Sequence, residues 1–169
     1  MIHLLRTIHI VTGVIWVGGV FFMAVFLLPS ARALGPAAGP MMNQLTQVRQ
    51  FPKWLLLTGA LTIIAGFWLY WQASVMAGTQ WMASGPAKVY GLGAVFSVVA
   101  WFIGMTMTAP LARRLGALGA RIATSGAPPT VDDASQMAAM QARLGLLASI
   151  VVTLLLLATA TMAVARYVP

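Results

Sequence analysis

Four stretches of this chain, residues 8–28, 54–77, 89–109 and 144–165, contain no Asp, Glu, Lys or Arg. Each is long enough to cross a bilayer, which takes about 20 helical residues at 1.5 Å apiece. In hydrocarbon every backbone N–H and C=O must be paired within the chain, so runs of this kind become helices. Charged residues make up 7% of the sequence, against roughly 25% in a soluble domain, too few to cover a water-soluble fold. The expected fold class is therefore all-α: an antiparallel, integral-membrane four-helix bundle. Residues 1–169 form one transmembrane domain, with spans near 5–28, 53–77, 87–109 and 143–166 and short amphipathic helices in two of the connections. The N-terminus has no basic stretch ahead of its apolar run and no small-residue cleavage site after it, so the first run reads as a retained span.

Prolines punctuate the runs. Pro29 follows the first and Pro110 the third, and each disfavours helix at the residue before it, so both are expected to close a span. Pro52 and Gly85-Pro86 stand where the second and third spans open, the position at which a missing N–H costs nothing. Residues 40–51 have the makings of a short interfacial helix stopping at Pro52. Residues 111–123 read as an extension of the third span, 124–130 as a loop, and Asp132-Asp133 as the start of a helix running into the fourth span, where negative charge is favoured. No internal repeat is strong enough to assert.

Ten Lys and Arg oppose two Asp, a net charge of +8. These cations lie at the ends of apolar runs and not along one polar face, so they are topogenic and nucleic acid is not the expected partner. The connections 29–53 and 110–143 carry Arg32, Arg49, Lys53, Arg113, Arg114, Arg121 and Arg143; the opposite side carries Arg6, Lys88 and Arg166. The positive-inside rule then puts both longer connections in the cytoplasm and both termini outside a bacterial-type inner membrane.

The absence of cysteine removes disulfides, thiolate metal sites and thiol nucleophiles. The absence of carboxylates from the spans argues against an acidic proton or cation relay. An ionisable residue at membrane depth is a site hypothesis by default. His9 lies about one turn into the first span, and Lys88 about one turn beyond Pro86 on a helix entering from the same side. Arg6 and Arg166 lie near span ends at that side. A haem b would rationalise one imidazole among cations: His9 as metal ligand, Arg6, Lys88 and Arg166 toward propionates, Gly13 leaving room for the macrocycle and Trp16 packing on it. His3 and His9 stand about 9 Å apart along one helix and roughly 120° around it, so both cannot bind one iron. The sixth ligand would be Lys88, a Met, water or nothing, and a homodimer would be one source of a second histidine. The plainer alternative is a histidine hydrogen-bonded to neighbouring backbone or hydroxyl, with the cations snorkelling to head groups. The eleven Met admit a copper reading through thioethers, although their pairs fall in different regions and flexible apolar filling explains them equally.

The first span, LLRTIHIVTGVIWVGGVFFMAVFLLPSA, resembles the opening helix of the CopD-like membrane proteins, with His9, Trp16-Val17-Gly18-Gly19, Phe22 and Pro29 in the shared places. That group is similar to the HemJ-type protoporphyrinogen oxidases, in which a first-span His and a Lys opening a later span form the functional pair. His9 and Lys88, in Gly85-Pro86-Ala87-Lys88, occupy compatible positions here. The resemblance is specific over residues 5–31. Arg143-Leu144-Gly145 replaces the charged, Asn/Glu-bearing entry to the last span of the HemJ type. What it implies is a haem-b protein of electron transfer or porphyrin oxidation. The alternatives are a non-catalytic subunit of a larger respiratory or photosynthetic membrane complex, and a copper-handling protein.

Overall fold

The computed structural model describes residues 2–126 and 128–169, and contains no strand among them. Four helices are long and apolar enough to cross a membrane: α1 (Ile2–Leu34), α2 (Phe51–Ala77), α3 (Gly85–Ser125) and α4 (Val131–Tyr167). The chain is a multi-pass membrane protein whose apolar outer surface suits a lipid bilayer. Helix α1 lies along α2 and α3 along α4; α2 also meets α3, and α1 meets α4. The helices thus form a ring in chain order, with α1 and α3 on one diagonal. Both chain termini lie at one end of the bundle (the terminal end), and the two longer connections lie at the other (the loop end).

The centre of the bundle is filled by Trp16, Ala100, Val151 and Leu155, one or more from α1, α3 and α4, with Leu55 of α2 packed against them. Trp16 fits because α2 presents Gly59. A Cβ there would lie 2.7 Å from Trp16 Cε2 and 2.8 Å from Trp101 Cδ1. The Trp101 indole donates to the Leu56 carbonyl at 2.9 Å. Without water to drive helices together, this close approach through small residues is what holds membrane helices in register. At the loop end a second cluster joins Leu28, Leu144 and Ala148 to Leu111 and Leu115.

Two expectations about proline need correction. Pro29 and Pro110 do not end their helices: α1 runs on to Leu34 and α3 to Ser125. In each case a π-turn precedes the proline, Met23–Leu27 in α1 and Gly104–Thr108 in α3. The N–H of Leu28 bonds the Met23 carbonyl, and that of Ala109 bonds the Gly104 carbonyl, five positions back. Widening one turn makes room for a ring that would otherwise strike the carbonyl four residues earlier, so the helix continues. The hydroxyls of Thr106 and Thr108 donate to the carbonyls of Phe102 (2.7 Å) and Ile103 (3.4 Å) in the same region. Beyond each proline the residues recur as well: Pro29, Ala31, Arg32, Leu34 and Gly35 match Pro110, Ala112, Arg113, Leu115 and Gly116. A repeated unit of π-turn, proline and arginine therefore exists.

Pro52 opens the second span as expected, in the first turn of α2, where proline is tolerated; the second correction is that the connecting helix ends at Val48 and does not run on to Pro52. The connection is helical over Gly39–Asn43 and Gln44–Val48. It breaks at Gln50, whose φ of 51° is left-handed.

Helix α3 has 41 residues, about 60 Å at 1.5 Å per residue, or roughly twice the hydrocarbon thickness. Its part beyond Pro110 and the start of α4 therefore form a helical hairpin past the bilayer, as the sequence suggests. The hairpin closes through a capping box. The Asp133 N–H bonds the Thr130 hydroxyl at 3.1 Å, the Thr130 hydroxyl bonds Asp133 Oδ2 at 2.8 Å, and Arg121 pairs with Asp133. Thr130→Ala should cost about 1 kcal/mol. The Thr130 hydroxyl, then its backbone N–H and Arg121, hold the Asp133 carboxyl below its ordinary value. A lowered folded-state value means that the stability it confers is complete above the unfolded carboxylate's pKa of about 4, and is lost as pH falls through the folded value. In thermal melts at pH 5 and pH 3 the native chain should lose more than Asp133→Asn does; equal losses would refute the assignment.

Candidate functional site

His9 is half-buried on the face of α1 that meets α2. Its Nδ1 lies 2.8 Å from the Thr62 carbonyl oxygen. A carbonyl only accepts, so Nδ1 carries the proton and the Nε2 lone pair is left as acceptor. The ring is seated on Gly66, where a Cβ would lie 2.8 Å from Cε1 and 3.1 Å from Nδ1. The Thr62 side chain adds a rung below, its hydroxyl donating to the Thr58 carbonyl at 2.8 Å and lying in hydrogen-bond contact with the Thr12 hydroxyl at 2.8 Å. Glycine at 66 and threonine at 62 are thus what α2 contributes to the orientation of the imidazole.

The same face of α1 continues through Gly13 and Trp16, and α2 covers both. A Cβ on Gly13 would touch Thr62 Cγ2 at 3.4 Å, and Trp16 is 4% exposed in the bundle core. The room at Gly13 is taken by the Thr62 side chain, and the Trp16 ring packs on Gly59. In this arrangement neither residue forms a wall beside an open pocket.

The cations stand apart. Lys88 is exposed one residue after fully buried Ala87, on the helix diagonal to α1. Arg6 is exposed on α1. Arg166 is exposed and stacks its guanidinium 4.6 Å from the Tyr167 ring centroid, where it also bonds the Tyr167 hydroxyl. The C-terminal segment folds back on the start of α3, with the Pro169 carbonyl oxygen occupying the place of a Gly85 Cβ. The structure therefore gathers His9, Gly13 and Trp16 on the α1–α2 seam, and Lys88 and Arg166 at the α3–α4 side of the terminal end. Among the described residues no hydrogen bond or ion pair links any of these cations to His9 or to a carboxylate.

Sequence reasoning missed three residues here: Thr62, Gly66 and Gln72. Thr62 and Gly66 recur at the four-residue spacing of one helix face, a signal of close packing but not of what packs. Gln72, near the terminal end of α2, has a buried Oε1 without a hydrogen-bond partner. A polar residue amid apolar neighbours was the available clue to it.

Among the described residues no three of His, Asp and Glu come together. A single imidazole is a poor seat for a bare metal ion. It would suffice for haem iron, most of whose donors come with the macrocycle. The fit to haem is divided. The Nδ1-to-carbonyl bond is of the kind that fixes the tautomer of a ligating histidine, and three cations lack acidic partners. The proposed walls, Gly13 and Trp16, are committed to helix packing. No family model, no curated protein and no solved structure matches this chain.

Proposed function

We propose that this chain is a haem-b-binding membrane protein of the electron-transfer or porphyrin-oxidation type, in which His9 would hold the iron through Nε2. The observation that carries the reading is the His9 Nδ1 bond to the Thr62 carbonyl, which orients the ring and leaves the ligating nitrogen without a protein partner. Arg6, Lys88 and Arg166 are the groups available to propionates, since guanidinium and ammonium donors suit carboxylates. A bound haem would supply one-electron chemistry. The chain's own contribution would be to set the ligand's tautomer, hold its depth and keep water from its inner side. The charge distribution supports a bacterial-type inner membrane with both termini outside.

The test is a reduced-minus-oxidised spectrum of the protein purified from iron-replete cells. The native chain should show a haem b band that His9→Ala loses while keeping its helical circular dichroism. A native spectrum without haem from a folded protein, or equal haem in both, would reject the reading.

A second reading is supported by Gly13 and Trp16 being spent on the α1–α2 seam. In it His9 is a packing histidine and the chain is a non-catalytic subunit of a larger membrane complex. Stoichiometric co-purification of partner subunits with a haem-free native chain would favour it.

A further inference from the structure

We infer that the loop end of the bundle binds the phosphodiester head groups of anionic phospholipid, through arginines carried on three helices that pack together there. This rests on the chain crossing a bilayer and is independent of the haem reading. The cluster of Leu28, Leu144, Ala148, Leu111 and Leu115 packs the ends of α1 and α4 against the stretch of α3 just past Pro110. Each of these segments carries exposed arginine: Arg32 on α1, Arg113 and Arg114 on α3, and Arg143 on α4. Arg32, Arg113 and Arg114 lie about one turn beyond their uncharged runs and Arg143 directly adjoins the fourth, within reach of the lipid phosphates for side chains of this length. The repeated proline-arginine unit places Arg32 and Arg113 at the same distance past their π-turns.

Arg32 is held in place. Its guanidinium lies on Gly145, with Nη1 2.8 Å and Cζ 2.9 Å from where a Cβ would be, and it donates to the Gln141 carbonyl. That contact uses only part of its fork of five donors. The two acids of the chain are engaged elsewhere. Asp133 pairs with Arg121 and Thr130, and Asp132 accepts from Gln136 at 2.9 Å. No carboxylate among the described residues neutralises the four arginines. Arginine suits phosphate through paired N–H donors, and six of the seven cations at this end are Arg.

The purified full-length chain, in phosphatidylcholine nanodiscs or micelles, would be titrated with phosphatidylglycerol and the bound lipid counted by native mass spectrometry. Phosphatidylglycerol should bind in preference to phosphatidylcholine. A basic residue near an anionic surface is worth about fivefold in affinity, so Arg113→Gln should weaken binding about fivefold and the triple Arg113→Gln, Arg114→Gln, Arg143→Gln about a hundredfold. Arg121→Gln, whose partner is Asp133, should change it less than twofold. Equal retention of the two lipids, equal effects of Arg113→Gln and Arg121→Gln, or displacement of the lipid by matched inorganic phosphate would each overturn the inference. If the triple variant fails to fold, the single variants decide it.

Discussion

Gly59→Val should unfold at markedly lower denaturant than the native chain, by roughly 3 kcal/mol, while Gly18→Val should not differ measurably. The two substitutions add the same side chain to glycines of neighbouring spans, so lipid solvation and helix propensity nearly cancel between them. Their surroundings do not match. A Cβ on Gly18 meets nothing within 4 Å, whereas one on Gly59 falls between two indoles, 2.7 Å from Trp16 and 2.8 Å from Trp101. Neither ring can retreat cheaply. Trp16 is surrounded by the bundle core, and Trp101 would give up its bond to the Leu56 carbonyl. Overpacking of a filled core costs about 1–3 kcal/mol, and a lost hydrogen bond about 1 kcal/mol more. Reversible unfolding in mixed detergent micelles measures the difference; equal midpoints for the two variants would show that the α1–α2–α3 junction is looser than described.

Gly66→Ala should uncouple His9 from Thr62. The added methyl would stand 2.8 Å from Cε1 and 3.1 Å from Nδ1, so the ring must move and the 2.8 Å bond to the Thr62 carbonyl breaks. Nitrogen-15 shifts of the imidazole would then report a mixture of tautomers in place of one. If His9 ligates haem, affinity should fall about 10- to 100-fold, the usual effect of removing the hydrogen-bond partner that orients a ligating histidine. Gly13→Ala is the comparison. Its methyl would meet Thr62 Cγ2 at 3.4 Å, an ordinary contact, and affinity should stay within about threefold. An unchanged tautomer in Gly66→Ala would contradict the seat described for His9. A single tautomer lost without any change in haem content would leave the geometry standing and remove His9 as a haem ligand.

Much of the fold was legible in advance because the bilayer imposes it. The four uncharged runs, the helical hairpin past the third span and the acidic start of the fourth helix all follow from local rules about charge, length and caps. Proline was misleading at Pro29 and Pro110. Its steric rule holds for a regular helix, and one π-turn beforehand suspends it. The repeat was hard to see for the same reason, since it consists of a backbone irregularity followed by five scattered identities. At the site, His9 stood out as a histidine about one turn into a span, and Gly13 and Trp16 were visible as its neighbours on one face. What that face meets was not visible, because helical periodicity names a face and leaves its partner open.

By itself the sequence determined that the chain crosses a membrane four times as helices, since unpaired backbone in hydrocarbon is too costly for any other form, and that one histidine is carried to membrane depth. Only the tertiary structure decided that α2 covers this histidine, that Gly66 and the Thr62 carbonyl set its ring, and that Lys88 stands on the diagonal helix. Those outcomes depend on how rigid helices nest side chains into one another's glycine gaps, a property of pairs of surfaces that no single stretch of residues contains.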